Sequence, residues 1–100
     1  MIKICYKVKD NHINYVEIKG HAGYADSGFD IVCASVSSIA LTTINSIIRF
    51  NKDSIKVKEE DGYLLIEILD CTSFSDILMK NMICMLEELS KQYKKYVKIN

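Results

Sequence analysis

The hydrophobic period of this chain switches from two residues to about 3.6 and then repeats the switch, a pattern that restricts it to two strand pairs, each followed by a long helix. Residues 2–9 alternate strictly, with Ile2, Ile4, Tyr6 and Val8 on one face and Lys3, Cys5, Lys7 and Lys9 on the other, which predicts a half-buried strand. Asp10, Asn11 and His12 form a short polar turn, and residues 13–19, with Val16 and Ile18 on one face, return as its antiparallel partner. From Asp30 onward Val32, Val36, Ile39, Ala40, Thr43, Ile44 and Ile47 recur at three- and four-residue steps, predicting a long helix with Asp30 as N-cap. Asn51, Lys52 and Asp53 break it.

A second strand pair, 55–59 and 63–69, turns at Asp61 and Gly62. Leu64, Ile66 and Ile68 face one way and Tyr63, Leu65 and Leu69 the other, so residues 63–69 are expected in a central position, covered on both sides or meeting a partner subunit. Ser73 to Asp76 read as an S-x-x-D capping box that opens a second helix carrying Leu78, Met82, Met85, Leu89, Tyr93 and Tyr96. The methionines are expected to fill gaps in the core. Val97 to Asn100 either add a short final strand or fray.

The expected fold class is therefore α+β: an antiparallel sheet of about four to five strands packed with two long helices, in the order ββαββα, as one domain over residues 1–100. A domain of this size buries only a modest core, which self-association through one face would supplement. Thirteen basic and thirteen acidic residues cancel, so no overall field draws the chain to nucleic acid or a membrane surface. Lys91, Lys94, Lys95 and Lys98, beside Tyr93 and Tyr96, read as the solvated face of a last helical turn rather than an RNA contact.

The N-terminus lacks the apolar run of a signal peptide, and no segment is expected to reach the roughly 18 apolar residues of a membrane span. A cytoplasmic location with reduced thiols follows as the expectation. Cys5, Cys33, Cys71 and Cys84 show no C-x-x-C spacing and no Cys/His cluster, which speaks for neither a disulfide framework nor a metal site; no cofactor is expected.

Of these cysteines, Cys33 has the chemically useful position. With Asp30 as cap it occupies the third helical position, where unpaired backbone N–H groups and the helix dipole favour a thiolate and are candidates for holding an oxyanion. His21 ends the preceding strand, after Gly20, and residues 22–29, AGYADSGF, have no periodicity and read as a mobile loop able to bring imidazole and thiol together. Spacing permits that contact without establishing it, and a lone His and a lone Cys are more often structural than catalytic.

Gly20-His21-Ala22 followed by Asp30-Ile31-Val32-Cys33-Ala34-Ser35-Val36-Ser37 resembles the signature of the ribosomal-processing cysteine proteases, the Prp family: a G-H dipeptide, a glycine-containing loop and a D-x-V-C-A-A-x-S helix start. Ser35 stands where the family has a second alanine. The resemblance implies an endopeptidase that removes a short N-terminal extension from the precursor of a bacterial large-subunit ribosomal protein, the twenty-seventh of that series. It also implies a homodimer, a catalytic dyad of His21 and Cys33, and an apolar, aromatic-containing substrate segment just before the cut.

On that reading His21 takes the Cys33 proton, the thiolate attacks the scissile carbonyl, and the imidazolium protonates the leaving amine. Loop 22–29 acts as a lid, with Ala22, Gly23, Tyr24, Gly28 and Phe29 as its substrate-binding residues; Gly23 and Gly28 absorb the backbone change. Tyr24 and Phe29 serve equally well, on sequence alone, as packing for the loop. Ser37, one turn after Cys33, supports the site or bonds back to its own helix. Asp30 is first a cap, and no third residue orienting His21 is visible. Two other readings stand beside this one, a noncatalytic ribosome-associated binding module and a redox-sensing thiol protein; the latter requires a resolving cysteine near Cys33.

Overall fold

A computed structural model describes residues 1–26 and 28–100; of the 22–29 loop, Ser27 lies outside the described residues. The elements run β1 (Ile2–Lys9), β2 (His12–Lys19), α1 (Ile31–Asn51), a 3-10 turn (Lys52–Ser54), β3 (Ile55–Glu60), β4 (Tyr63–Ile68), α2 (Ser73–Gln92) and β5 (Val97–Ile99). The order is the expected ββαββα with the short final strand present. The sheet is mixed rather than wholly antiparallel: its strands lie in the order β3-β4-β2-β1-β5, and β5 pairs parallel to β1 through Ile2 with Val97 and Ile4 with Ile99. The crossover through α2 returns the chain in the direction of β1, and parallel pairing requires such a connection.

Both helices cover one face of the sheet. Ile2, Ile4, Val16, Ile18, Ile66 and Ile68 meet Val32, Val36, Ala40, Ile44 and Ile47 of α1 and Met79, Met82, Ile83 and Leu86 of α2, all buried. The other face carries Lys3, Cys5, Lys7 and Lys19. β4 is therefore an interior strand next to edge strand β3, and its outward Tyr63 and Leu65 are half-buried without a second helical layer over them. The β1–β2 turn narrows to Asp10 and Asn11, both at positive φ, which Asp and Asn tolerate better than other non-glycine residues. A bulge follows: Lys7 pairs with Tyr15 but Val8 pairs with Ile13, leaving Asn14 unopposed. The extra residue explains why Ile13 and Val16, three apart, are both buried.

The inward stripe of α1 is the expected one, apart from half-buried Ile39. By length and composition alone, the 24 residues Ile31–Ser54 are long and apolar enough to cross a membrane, contrary to expectation, because the Ser and Thr residues between the aliphatic ones do not interrupt an apolar helix. In this fold the aliphatic stripe packs on the sheet. The capping box of α2 also departs from expectation by one residue. Thr72, not Ser73, is the N-cap; its hydroxyl accepts the Ser75 N–H, and the Ser75 hydroxyl accepts the Thr72 N–H. Asp76 is thereby released to fasten α2 to the first hairpin, accepting the Ile13 N–H at 3.2 Å and the Lys80 ammonium at 2.8 Å. Met79 and Met82 are core fillers as expected, whereas Met85 is exposed.

Candidate active site

The start of α1 and the end of the β3–β4 hairpin flank a cleft of about 510 Å³. Cys33, Ser37 and Leu41 line it from the helix, and Gly20 and His21 from the end of β2. Glu59, Glu60, Asp61 and Gly62 line it from the hairpin, over a floor that includes Ile2, Ile18, Val36 and Leu64. The cleft thus has an apolar bottom and an acidic rim, and the two residues singled out from sequence share it.

Local sequence explains the placement of Cys33. Asp30 Oδ1 accepts the N–H groups of Val32 and Cys33, each at 3.0 Å, which fixes the first turn and sets the cysteine as its third residue. Asp30 Oδ2 turns the other way and accepts the N–H groups of Tyr24 at 3.0 Å and Ala25 at 3.4 Å. One carboxylate therefore both caps the helix and ties down the loop. The Cys33 N–H, foremost, and the Ala25, Tyr24 and Val32 N–H groups hold its carboxyl below the usual carboxylate range, against partial desolvation. Because Asp30 occupies the N–H groups of Val32 and Cys33, these are not free to hold an oxyanion, a role the sequence had left open.

The Cys33 sulfur accepts a hydrogen bond from the Ala22 N–H at 3.3 Å. Ala22 is buried and directly follows His21, so the backbone carrying the histidine lies against the sulfur. Among the described residues no hydrogen bond joins the sulfur to the imidazole. The ring instead stands against the hairpin turn: His21 Nε2 is 3.7 Å from Asp61 Oδ2, and a Cβ on Gly62 would lie 2.8 Å from the same nitrogen.

Gly20 holds a left-handed φ of +93° and donates its N–H to the Gly62 carbonyl at 2.8 Å, and an added Cβ would sit 2.5 Å from the Met1 carbonyl oxygen. Only glycine suits that combination of φ and close approach. Ser37 lines the cleft one turn beyond Cys33. Gly23 and Gly28 both have positive φ in the loop, where neither is crowded. Tyr24 packs edge-on against Tyr93 at 5.7 Å and Tyr96 at 5.1 Å between ring centroids, docking the loop on the end of α2. Phe29 is 79% exposed, an apolar ring left free beside the helix start. Neither aromatic is part of the cleft lining.

The remaining cysteines are exposed: Cys5 on β1, Cys71 before α2 and Cys84 on α2. None lines the cleft, and no group of three or more potential metal ligands occurs among the described residues. Sequence reasoning missed the Asp61–Gly62 turn as a neighbour of His21, the Ala22 N–H at sulfur and the docking of Tyr24. The hairpin was legible, but nothing in it signals which strand end it adjoins.

Comparison with known proteins gives concordant results. The profile of the family described as Cysteine protease Prp matches residues 1–98. The ribosomal processing cysteine protease Prp of Bacillus subtilis (strain 168) is 29% identical over 97 residues, covering 90% of this chain and 87% of the relative. Its namesake from Staphylococcus aureus (strain NCTC 8325 / PS 47) is 25% identical over 104 residues, covering 100% of this chain and 98% of the relative. A crystal structure of an essential ribosomal processing protease Prp from S. aureus, in complex with a covalently linked product peptide, superposes with a TM-score of 0.93 at 25% identity, covering 100% of this chain and 98% of that one.

Proposed function

The chain belongs to the Cysteine protease Prp family, and from that premise we propose that its substrate is a large-subunit ribosomal protein precursor, with Cys33 as nucleophile and His21 as base. It is a cysteine protease of ribosomal processing, with the two-layer fold of its relatives. The observation that carries the assignment is the shared cleft: Cys33 at a capped helix start, its sulfur touched by the N–H that follows His21, in a groove open to an extended peptide.

The chemistry follows from these residues. His21 takes the thiol proton, the Cys33 sulfur adds to the scissile carbonyl carbon, and the tetrahedral intermediate collapses as the imidazolium gives its proton to the leaving amine. A thioester of the N-terminal fragment remains on Cys33. Water, deprotonated by the same imidazole, then attacks the thioester and restores thiol and neutral histidine. Gly20 holds the strand end that carries His21, Asp30 fixes helix and loop together, and Ser37 extends the polar wall of the groove. Ala22, Gly23, Tyr24, Gly28 and Phe29 belong to the loop that closes over the peptide, with Phe29 offering its exposed ring.

The protease acts as one domain and as a homodimer in the cytoplasm, where its substrate is made. The apolar cleft floor suits an apolar residue next to the cut. A mass spectrum of the extended precursor after incubation with the wild-type protein tests the assignment, since it reads both activity and cut position. The precursor is expected to lose its N-terminal extension at one bond, and an unchanged precursor contradicts the reading. Sedimentation equilibrium, with a dimer mass expected, tests the assembly.

A further inference from the structure

We infer that Asp61, at the tip of the β3–β4 hairpin, is a positioning residue for His21, holding the imidazole by Nε2 so that Nδ1 is left to take the Cys33 proton; this rests on the proposed roles of His21 and Cys33.

Three independent contacts bring the hairpin to the histidine. The Asp61 carboxylate stands 3.7 Å from Nε2, an ion-pair separation. Gly62, at a φ of +67°, leaves a space beside Nε2 that any Cβ would fill at 2.8 Å, so the ring rests on bare backbone. The Gly20 N–H, one residue before His21, bonds the Gly62 carbonyl at 2.8 Å, so turn and strand end move as one piece. Nδ1 is the ring nitrogen nearer the backbone, and the backbone just beyond His21 touches the Cys33 sulfur through the Ala22 N–H. With Nε2 turned to Asp61, the proposal assigns Nδ1 the task of receiving the thiol proton.

The neutral imidazole has one N–H and one lone pair, and only the tautomer protonated on Nε2 has its lone pair on Nδ1. At 3.7 Å the carboxylate lies beyond direct hydrogen-bond reach of Nε2, and its charge biases the ring toward that tautomer. When the thiol proton arrives on Nδ1, the same carboxylate faces the imidazolium and steadies its charge. The competing explanation is that Asp61 merely completes a turn. At 98% side-chain exposure it supports no core, which makes its replacement a clean probe of the histidine.

The test compares wild type with Asp61→Ala and Asp61→Glu, the fold of each verified by thermal melting. Steady-state cleavage of the ribosomal protein precursor and the ring-nitrogen NMR signature of His21 are both recorded. Exposed charge pairs set the scale, so Asp61→Ala is expected to lower kcat about three- to fivefold with KM unchanged, and Asp61→Glu to recover most of it. The Nε2-protonated signature of His21 weakens in Asp61→Ala and returns in Asp61→Glu. Wild-type kcat together with an unaltered tautomer signature in Asp61→Ala overturns the inference. If the wild-type protein leaves the precursor uncut, the proposed function fails, and the NMR comparison still decides the role of Asp61.

Discussion

The backbone N–H of Ala22 points at the sulfur of Cys33 from 3.3 Å, joining the residue after the histidine to the head of the first long helix. Among the described residues the other cysteines have no such donor. At Cys71, by contrast, partial desolvation of the sulfur foremost, then the charges of Asp76 and Asp70, push the thiol up although the residue as a whole is exposed. Iodoacetamide at neutral pH should therefore label Cys33 faster than Cys71, as read by peptide mapping, although Cys71 is the more exposed residue. Faster labelling of Cys71 would contradict the account of the sulfur's environment.

Replacing His21, the proposed base, tests the other half of the pair. His21→Ala removes an exposed ring, so the fold should persist, while kcat is expected to fall by about 10² to 10⁴. Precursor cleavage followed by chromatography measures it, and a loss below about tenfold would remove His21 from the reaction.

Asp30 serves two pairs of N–H groups with its two oxygens. Asparagine has a single acceptor oxygen, so Asp30→Asn should serve one pair only. The helix pair is the better aligned, with both contacts at 3.0 Å. Amide hydrogen exchange is therefore expected to show Val32 and Cys33 still protected and Tyr24 and Ala25 unprotected. Equal loss at all four would show that cap and loop are one cooperative unit.

The same carboxylate sets an acid limit. Its folded-state value lies below that of an unfolded aspartate, chiefly through the Cys33 N–H, so folding favours the deprotonated form. Its contribution is fully present above about pH 4, the ordinary aspartate value, and is lost as pH falls through the lower folded value. Protection of the Tyr24 amide should hold from neutrality to about pH 4 and then decline. Decline beginning near neutrality would point to another group.

Tyr24 ties the loop to Tyr93 and Tyr96 by two edge-on ring contacts. Such pairs contribute about 0.5–1.5 kcal/mol. Taking about 1 kcal/mol for the two contacts together, Tyr24→Ala should lower Tm by about 4–8 °C and speed proteolytic nicking within residues 22–26. Unchanged nicking would mean that Asp30 alone holds the loop.

Much of this arrangement is legible in the sequence because local rules govern it. Asp30, Cys33 and the stripe from Val32 to Ile47 follow from capping and helical period, and those signals need no knowledge of the rest of the chain. The cap of α2 lies one residue earlier than read because Ser73-x-x-Asp76 matches the usual acidic pattern while Thr72-x-x-Ser75 closes the box with a hydroxyl, and Asp76 is drawn off by Ile13 on a distant strand and by Lys80 one turn along its own helix. The bulge at Asn14 is invisible to a period-two reading until Ile13 is found buried beside Val16. Asp61 beside His21 and Tyr24 beside Tyr93 are contacts between remote segments, set by the order of strands in the sheet, and no local pattern encodes them.

The central claim is that the sulfur of Cys33 performs the bond cleavage. The most direct measurement is the mass spectrum of the ribosomal protein precursor after incubation with Cys33→Ala protein beside the wild type, at matched concentration and with matched melting curves. A shortened precursor with wild type and only intact precursor with Cys33→Ala is the predicted outcome; full shortening by Cys33→Ala would contradict it.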